Sequence, residues 1–190
     1  MKKENSSVLL VSLIVLLTAV LRIVNAEFHI YNLVPVAALG LFSGSILQQK
    51  KASYLIPLSA MFLSDLGLSI FTHTPGFYGV SQLINYGALA LVTLLGTRLH
   101  NRNSLNVAGY TLSGSLIFFL LSNFGTFLGG YYGYTDEGFI QCFTLAIPFY
   151  KSEMATTFFL NSFIGDLCFS ALAFGSVHLL TSRQKQTQIA

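Results

Sequence analysis

Charge is what this sequence has least of. Asp, Glu, Lys and Arg make up 9% of its 190 residues, against roughly a quarter in an ordinary soluble domain. With 53% hydrophobic residues and a mean hydropathy of +0.66, composition alone places the chain among integral membrane proteins. Cysteine is nearly absent. Cys142 and Cys168 match no zinc or redox spacing, and both are expected to be structural, Cys168 as a small hydrophobe within an apolar run. No basic cluster exceeds two adjacent lysines, which argues against a nucleic-acid partner. A Gly-Lys-Ser/Thr phosphate loop is missing, so the chain cannot drive ATP hydrolysis alone. HExxH, GxSxG and Cys/His couples are missing as well, and Asp65 sits in SDLG rather than in the GxGD that intramembrane aspartyl proteases resemble. None of His29, His73, His100 and His178 has a second ligand at metal spacing. Neither an enzyme, a metal site nor a cofactor is expected.

What is present is organised around Asn32–Phe71. Two apolar runs flank the polar knot Gln48-Gln49-Lys50-Lys51, with Gly40 and Gly44 at helical spacing in the first and Asp65 deep in the second. The whole chain holds six apolar segments, at about 8–24, 33–47, 53–71, 80–97, 105–122 and 154–180, each read as a membrane-spanning helix. The expected fold is therefore all-α, an integral membrane bundle of six transmembrane helices forming one domain. Pro35 and Pro57 fall in the expected first turns of spans two and three, where a missing N–H is tolerated. Span two is short and is expected to tilt little or to begin nearer Tyr31.

Cations alternate between connecting segments. Lys2, Lys3, Lys50, Lys51, Arg98, Arg102, Arg183 and Lys185 fall on one side of this arrangement, and only Arg22 and Lys151 on the other. The positive-inside rule then puts the N- and C-termini in the cytoplasm. An alternative for the N-terminus is a signal peptide, with Lys2-Lys3, the run Val8–Val20 and a small-residue site at Val24-Asn25-Ala26. Cleavage there would leave five spans in the same orientation.

Polar residues concentrate in one half of the bilayer. Asp65 lies about 9 Å from the outer end of span three at Phe71. Gln82, Asn85 and Tyr86 share a face at the start of span four, Ser122 and Asn123 end span five, and Asn161, Ser162 and Asp166 open span six. Arg22 and Asn25 end span one, with Arg22 the nearest candidate partner for Asp65. Interhelical hydrogen bonding would not favour one leaflet, whereas an outward-facing pocket would. A carboxylate at membrane depth normally faces a polar cavity or a partner. Segment 123–153 is rich in glycine and aromatics. It reads as an aromatic belt at the outer interface, or as a lid carrying Tyr131, Tyr132 and Tyr134, with an interfacial or re-entrant helix in Phe139–Tyr150. The Gly40-x-x-x-Gly44 pair permits close helix approach, within the chain or to another membrane protein.

The runs NxxPxxAxxLFxG (from Asn32) and PLxxMxxSDxGL (from Pro57), with SNFG (Ser122–Gly125) and IPFY (Ile147–Tyr150), resemble a family of uncharacterised six-span membrane proteins of Bacteroidetes-type bacteria. That likeness covers about Asn32 to Gly175. Those proteins in turn resemble the substrate-binding S components of energy-coupling factor (ECF) vitamin transporters. The resemblance implies a pocket near the outer face for a vitamin or cofactor precursor, a transmembrane coupling subunit and separate ATPases. It also implies docking through a small-residue helix, which in S components is the first span and here would be Gly40 and Gly44 in the second. The expected function is small-nutrient uptake across the bacterial inner membrane. Asp65 and Asn123 would orient the ligand, Asn85, Asp166 and Arg22 assist, and Tyr131, Tyr132 and Tyr134 close over it. The alternatives are a proton- or ion-coupled carrier using Asp65 and Asp166, and a non-transporting assembly subunit.

Overall fold

A computed structural model describes residues 2–28, 35–146 and 158–187, and every regular element among them is an α-helix. In chain order these are α1 (Lys2–Glu27), α2 (Val36–Ile46), α3 (Lys50–Phe71), α4 (Val80–Thr97), α5 (Ser104–Leu128), α6 (Asp136–Thr144) and α7 (Phe158–Thr187). Four of them are long and apolar enough to cross a membrane: α3, α4, α5 and the Ser162–Leu179 stretch of α7. Their outward faces carry leucine and phenylalanine, among them Leu55, Phe62, Leu83, Leu91, Leu116 and Leu172. Their inward faces carry small hydroxyl residues such as Ser64, Ser81, Thr93, Thr111, Ser115 and Ser170. Leucine outside and serine inside is the arrangement expected where lipid, not water, surrounds the bundle.

The described helices depart from six full-length spans at α2. Its 11 residues rise about 16 Å, roughly half of a ~30 Å hydrocarbon core. Pro35 stands just before it, and the chain turns extended again at Leu47. Nine of its residues, Ala37 to Ser45, are buried, and it packs against α1, α3, α4, α5 and α7. This short helix is the centre of the bundle.

Small residues let the other helices close on it. A Cβ at Gly44 would run into the Thr93 carbonyl of α4, and one at Gly96 of α4 would meet the Leu41 carbonyl of α2. At Gly40 it would come within 2.8 Å of Leu89 Cδ1. The two backbones thus meet on glycine from both sides. Gly40 and Gly44, the candidates for docking another protein, are met here by α4 of the same chain.

A second seam joins α2 to α3. Because α3 begins at Lys50, Pro57 lies in its interior and not in its first turn as the sequence suggested. Proline lacks the N–H that would bond the carbonyl four residues earlier, here that of Ser53. The buried Ser43 hydroxyl of α2 donates to that carbonyl at 2.9 Å. Phe42 meanwhile meets Phe174 of α7 edge-on, at 5.1 Å between ring centroids.

Two further boundaries differ from expectation. Asn103 caps α5 by accepting from the Asn106 N–H at 2.7 Å, and α5 runs to Leu128 instead of ending near 122. The aromatic segment therefore begins as helix. Where a helix was expected within Phe139–Tyr150, α6 begins three residues earlier and ends at Thr144, capped by Thr135, whose Oγ1 accepts from the Gly138 N–H at 3.0 Å. The remainder of that segment, at 147–157, lies outside the described residues. Cys168 faces outward rather than packing inside, whereas Cys142 is buried.

Two outcomes test this packing. Ser43→Ala should cost about 1–3 kcal/mol by orphaning the Ser53 carbonyl, and Pro57→Ala in the same chain should recover most of it by restoring the helical N–H. Gly44→Ala should cost about 1–3 kcal/mol, since a backbone carbonyl cannot yield as a side chain can. Gly87→Ala, with open space around it, should be neutral or mildly stabilising. Thermal unfolding in detergent reads all four variants.

Candidate functional site

At one end of the bundle the helices part around a cavity of about 430 Å³. Arg22 and Asn25 reach it from the last turns of α1, Met61 and Leu68 from α3, and Asn85 from α4. Val36 contributes the first residue of α2, Cys142 comes from α6 and Ser162 from α7. The α5 face is continuous. Phe119, Ser122, Asn123 and Thr126 follow helical spacing, with Phe118 beside them, and Tyr132 follows after the helix ends. Among the lining residues Arg22 alone carries a charge.

Arg22 is held from behind. Its Nη1 is ion-paired with Asp65 Oδ1, donates to Ser64 Oγ at 2.6 Å and approaches the Met61 carbonyl at 3.4 Å. Asp65 is fully buried, and its Oδ2 accepts from Gln82 Nε2 at 2.8 Å and from the Tyr86 hydroxyl at 2.7 Å. Gln82 also donates to the Gly76 carbonyl at 3.2 Å. Gly76 lies so close to the Asp65 main-chain oxygen that a Cβ there would overlap it. The loop after α3 thus packs directly on the turn that carries the acid. Breaking such a pair from one side leaves a buried charge and costs several kcal/mol. The pair accordingly fixes where the guanidinium stands.

Beside Arg22, the Tyr78 hydroxyl accepts from Asn85 Nδ2 at 3.0 Å. Burial pushes the Tyr78 phenol above its ordinary value, against the opposing pull of that Asn85 bond and of the Arg22 charge. The hydroxyl therefore remains protonated, able to donate, at neutral pH. Asn85 Oδ1 is buried and has no hydrogen-bond partner among the described residues. A buried acceptor left that way costs about 1–3 kcal/mol until a donor arrives. Asn123 donates through Nδ2 to the Phe119 carbonyl at 2.8 Å, one turn back on α5. Burial raises the Cys142 thiol, which keeps it protonated and unreactive.

Arg22, Asn85, Asn123 and Tyr132 are thus brought together on one wall. The other candidates stand apart from it. Asp65, expected to touch a ligand, stands behind Arg22. Tyr131 and Tyr134 are 61% and 71% exposed, and the Tyr134 hydroxyl donates to the Leu128 carbonyl at 3.1 Å.

Asp166 belongs to α2. Its Oδ1 accepts from the Ala38 N–H at 2.9 Å and its Oδ2 from the Ser115 hydroxyl at 2.6 Å. Pro35, at the N-cap position, makes no side-chain cap, so a carboxylate from α7 supplies one across 128 residues of chain. Neither Asp65 nor Asp166, both expected at the ligand, is among the residues that line the cavity.

Sequence reasoning missed Tyr78, Phe118, Phe119 and Thr126. The signal for the last two was there: positions 119, 122, 123 and 126 keep one helical face past the point where span five was ended.

A family model described only as a family of unknown function (DUF6580) matches residues 2–188, and the chain belongs to that family. No curated protein and no solved structure matches it.

The cap is testable. Asp166→Ala should destabilise the protein by about 1–3 kcal/mol, while Asp166→Asn, still able to accept from the Ala38 N–H, should lose clearly less. Equal losses in chemical denaturation would show that Asp166 acts otherwise.

Proposed function

We propose that this member of DUF6580 is a substrate-binding protein of the bacterial cytoplasmic membrane that takes a small nutrient into its cavity, in the manner of an ECF S component. The observation that carries the reading is the cavity itself. It is walled by residues of every described helix, lies at one end of an apolar bundle, and has the volume usual for small-molecule sites. The charge pattern supports six crossings with both termini cytoplasmic. The cavity then opens on the outer side, where a binding component first meets its substrate. With no nucleotide-binding loop of its own, the chain would depend on a transmembrane coupling subunit and on ATPases for uptake.

A proton-coupled carrier is less well supported. Of the acids it would use, Asp65 is fully buried and paired with Arg22, and Asp166 is held by the Ala38 N–H and the Ser115 hydroxyl.

Purification in mild detergent followed by native mass spectrometry should find a small molecule on the protein, with coupling subunits and ATPases alongside. Asn85→Ala and Asn123→Ala should each lower the retained fraction, by about 2- to 10-fold in affinity, the worth of one hydrogen bond. Tyr134→Ala, away from the cavity, should leave it unchanged. A fold intact in every variant with no retained compound and no partner would count against the reading.

A further inference from the structure

Arg22 is the one charged group on the cavity wall among the described residues, and its counter-ion does not face the cavity. Asp65 is fully buried and lies outside the cavity lining, with Oδ1 ion-paired to Arg22 and Oδ2 bonded by Gln82 and Tyr86, so the acid presents no acceptor to the cavity. A guanidinium has five N–H donors in a planar fork. Nη1 is committed to Asp65, Ser64 and Met61, the Tyr78 hydroxyl lies beside the group, and the side chain is 18% exposed and lines the cavity. The Tyr78 hydroxyl, which also lines the cavity, is a neutral group able to donate. Around these lie Phe118, Phe119, Met61 and Leu68. A cationic ligand would meet an arginine and no facing carboxylate. An organic acid would meet a fork whose geometry fits a carboxylate, with aromatic and apolar wall for its body.

We infer that the ligand of this cavity is a small organic anion, a carboxylate on a ring or short apolar body. Arg22 binds its charge, and Asp65 is a positioning residue that holds Arg22 without touching the ligand. This deepens the substrate-binding reading and rests on it. It also reverses the role the sequence suggested for Asp65: neutralising that acid frees the cation instead of removing a ligand contact.

The probes are 2-naphthoate, 2-naphthamide and 2-naphthamidine, which share a ring system and differ in charge. Binding is read by the shift in thermal unfolding and by calorimetry on detergent-solubilised protein, with native mass spectrometry for any co-purified compound. The wild type should prefer the carboxylate over the amide by about tenfold or more, the worth of a charge-assisted contact, and should bind the amidine least. Asp65→Asn should keep that order. Arg22→Met leaves Asp65 without its cation and risks misfolding, so the decisive variant is Arg22→Met with Asp65→Leu, which removes both charges together. There the preference for the carboxylate should vanish while amide binding persists. If the amidine ranks first, or the order survives in the double variant, the anion inference falls and the binding reading stands. If no probe shifts unfolding and no compound co-purifies, the substrate-binding reading falls and the inference with it.

Discussion

A helix that ends inside a packed apolar bundle has no water to satisfy its terminal N–H and C=O groups. α2 is such a helix, and much of the bundle is arranged to meet that demand. Its first turn donates the Ala38 N–H to Asp166 of α7, which Ser115 of α5 holds in turn. At its last turn the Arg102 guanidinium reaches back from the α4–α5 connection, Nε to Ser45 Oγ at 2.8 Å and Nη2 to the Ser45 carbonyl. An acid at the positive end and a base at the negative end also suit the helix dipole. Midway, Ser43 fills the gap that Pro57 opens in α3. α7, α3 and the α4–α5 connection are therefore tied to α2 by polar bonds, α5 joins them through Asp166, and the glycine contacts with α4 follow the same centre.

The Arg22–Asp65 pair answers a related demand at the open end. Placing an acid at 0% exposure is unfavourable unless each oxygen is matched, and here α1 and α4 supply the matches. Its net worth for stability is small by comparison with its effect on geometry. The guanidinium is anchored on one edge and faces the cavity on the other, with Tyr78 and Asn85 fixed to each other beside it. A site preorganised in this way loses little freedom when a ligand arrives.

Much of this was legible in the residues. Apolar runs located α3 and α4 to within a few positions, because lipid-facing segments must be uniformly apolar along their length. The gathering of polar side chains at one end was legible too, and so was Arg22 as the partner of Asp65, since an acid at that depth requires one. What stayed hidden was long-range. Nothing local marks Asp166 as a cap for a helix 128 residues earlier. Nothing tells the Gly40–Gly44 face that its neighbour is α4 rather than another protein, because small residues record only that something comes close. The length of α5 was misjudged for a different reason. Asn123 and Gly125 look like a break, yet their polar neighbours keep a 3.6-residue period, and that period was the better guide.

The shortness of α2 also has a geometric consequence. Val36, its first residue, forms part of the cavity wall, so the cavity occupies depth that a full-length helix would have filled. The end of α2 behaves as a piston head within a fixed cylinder of longer helices. One added turn, about 5.4 Å, would raise the floor and shrink the chamber, and one fewer would deepen it. On this scaffold the volume of the cavity can thus be set by the length of a single buried helix, leaving the apolar exterior untouched.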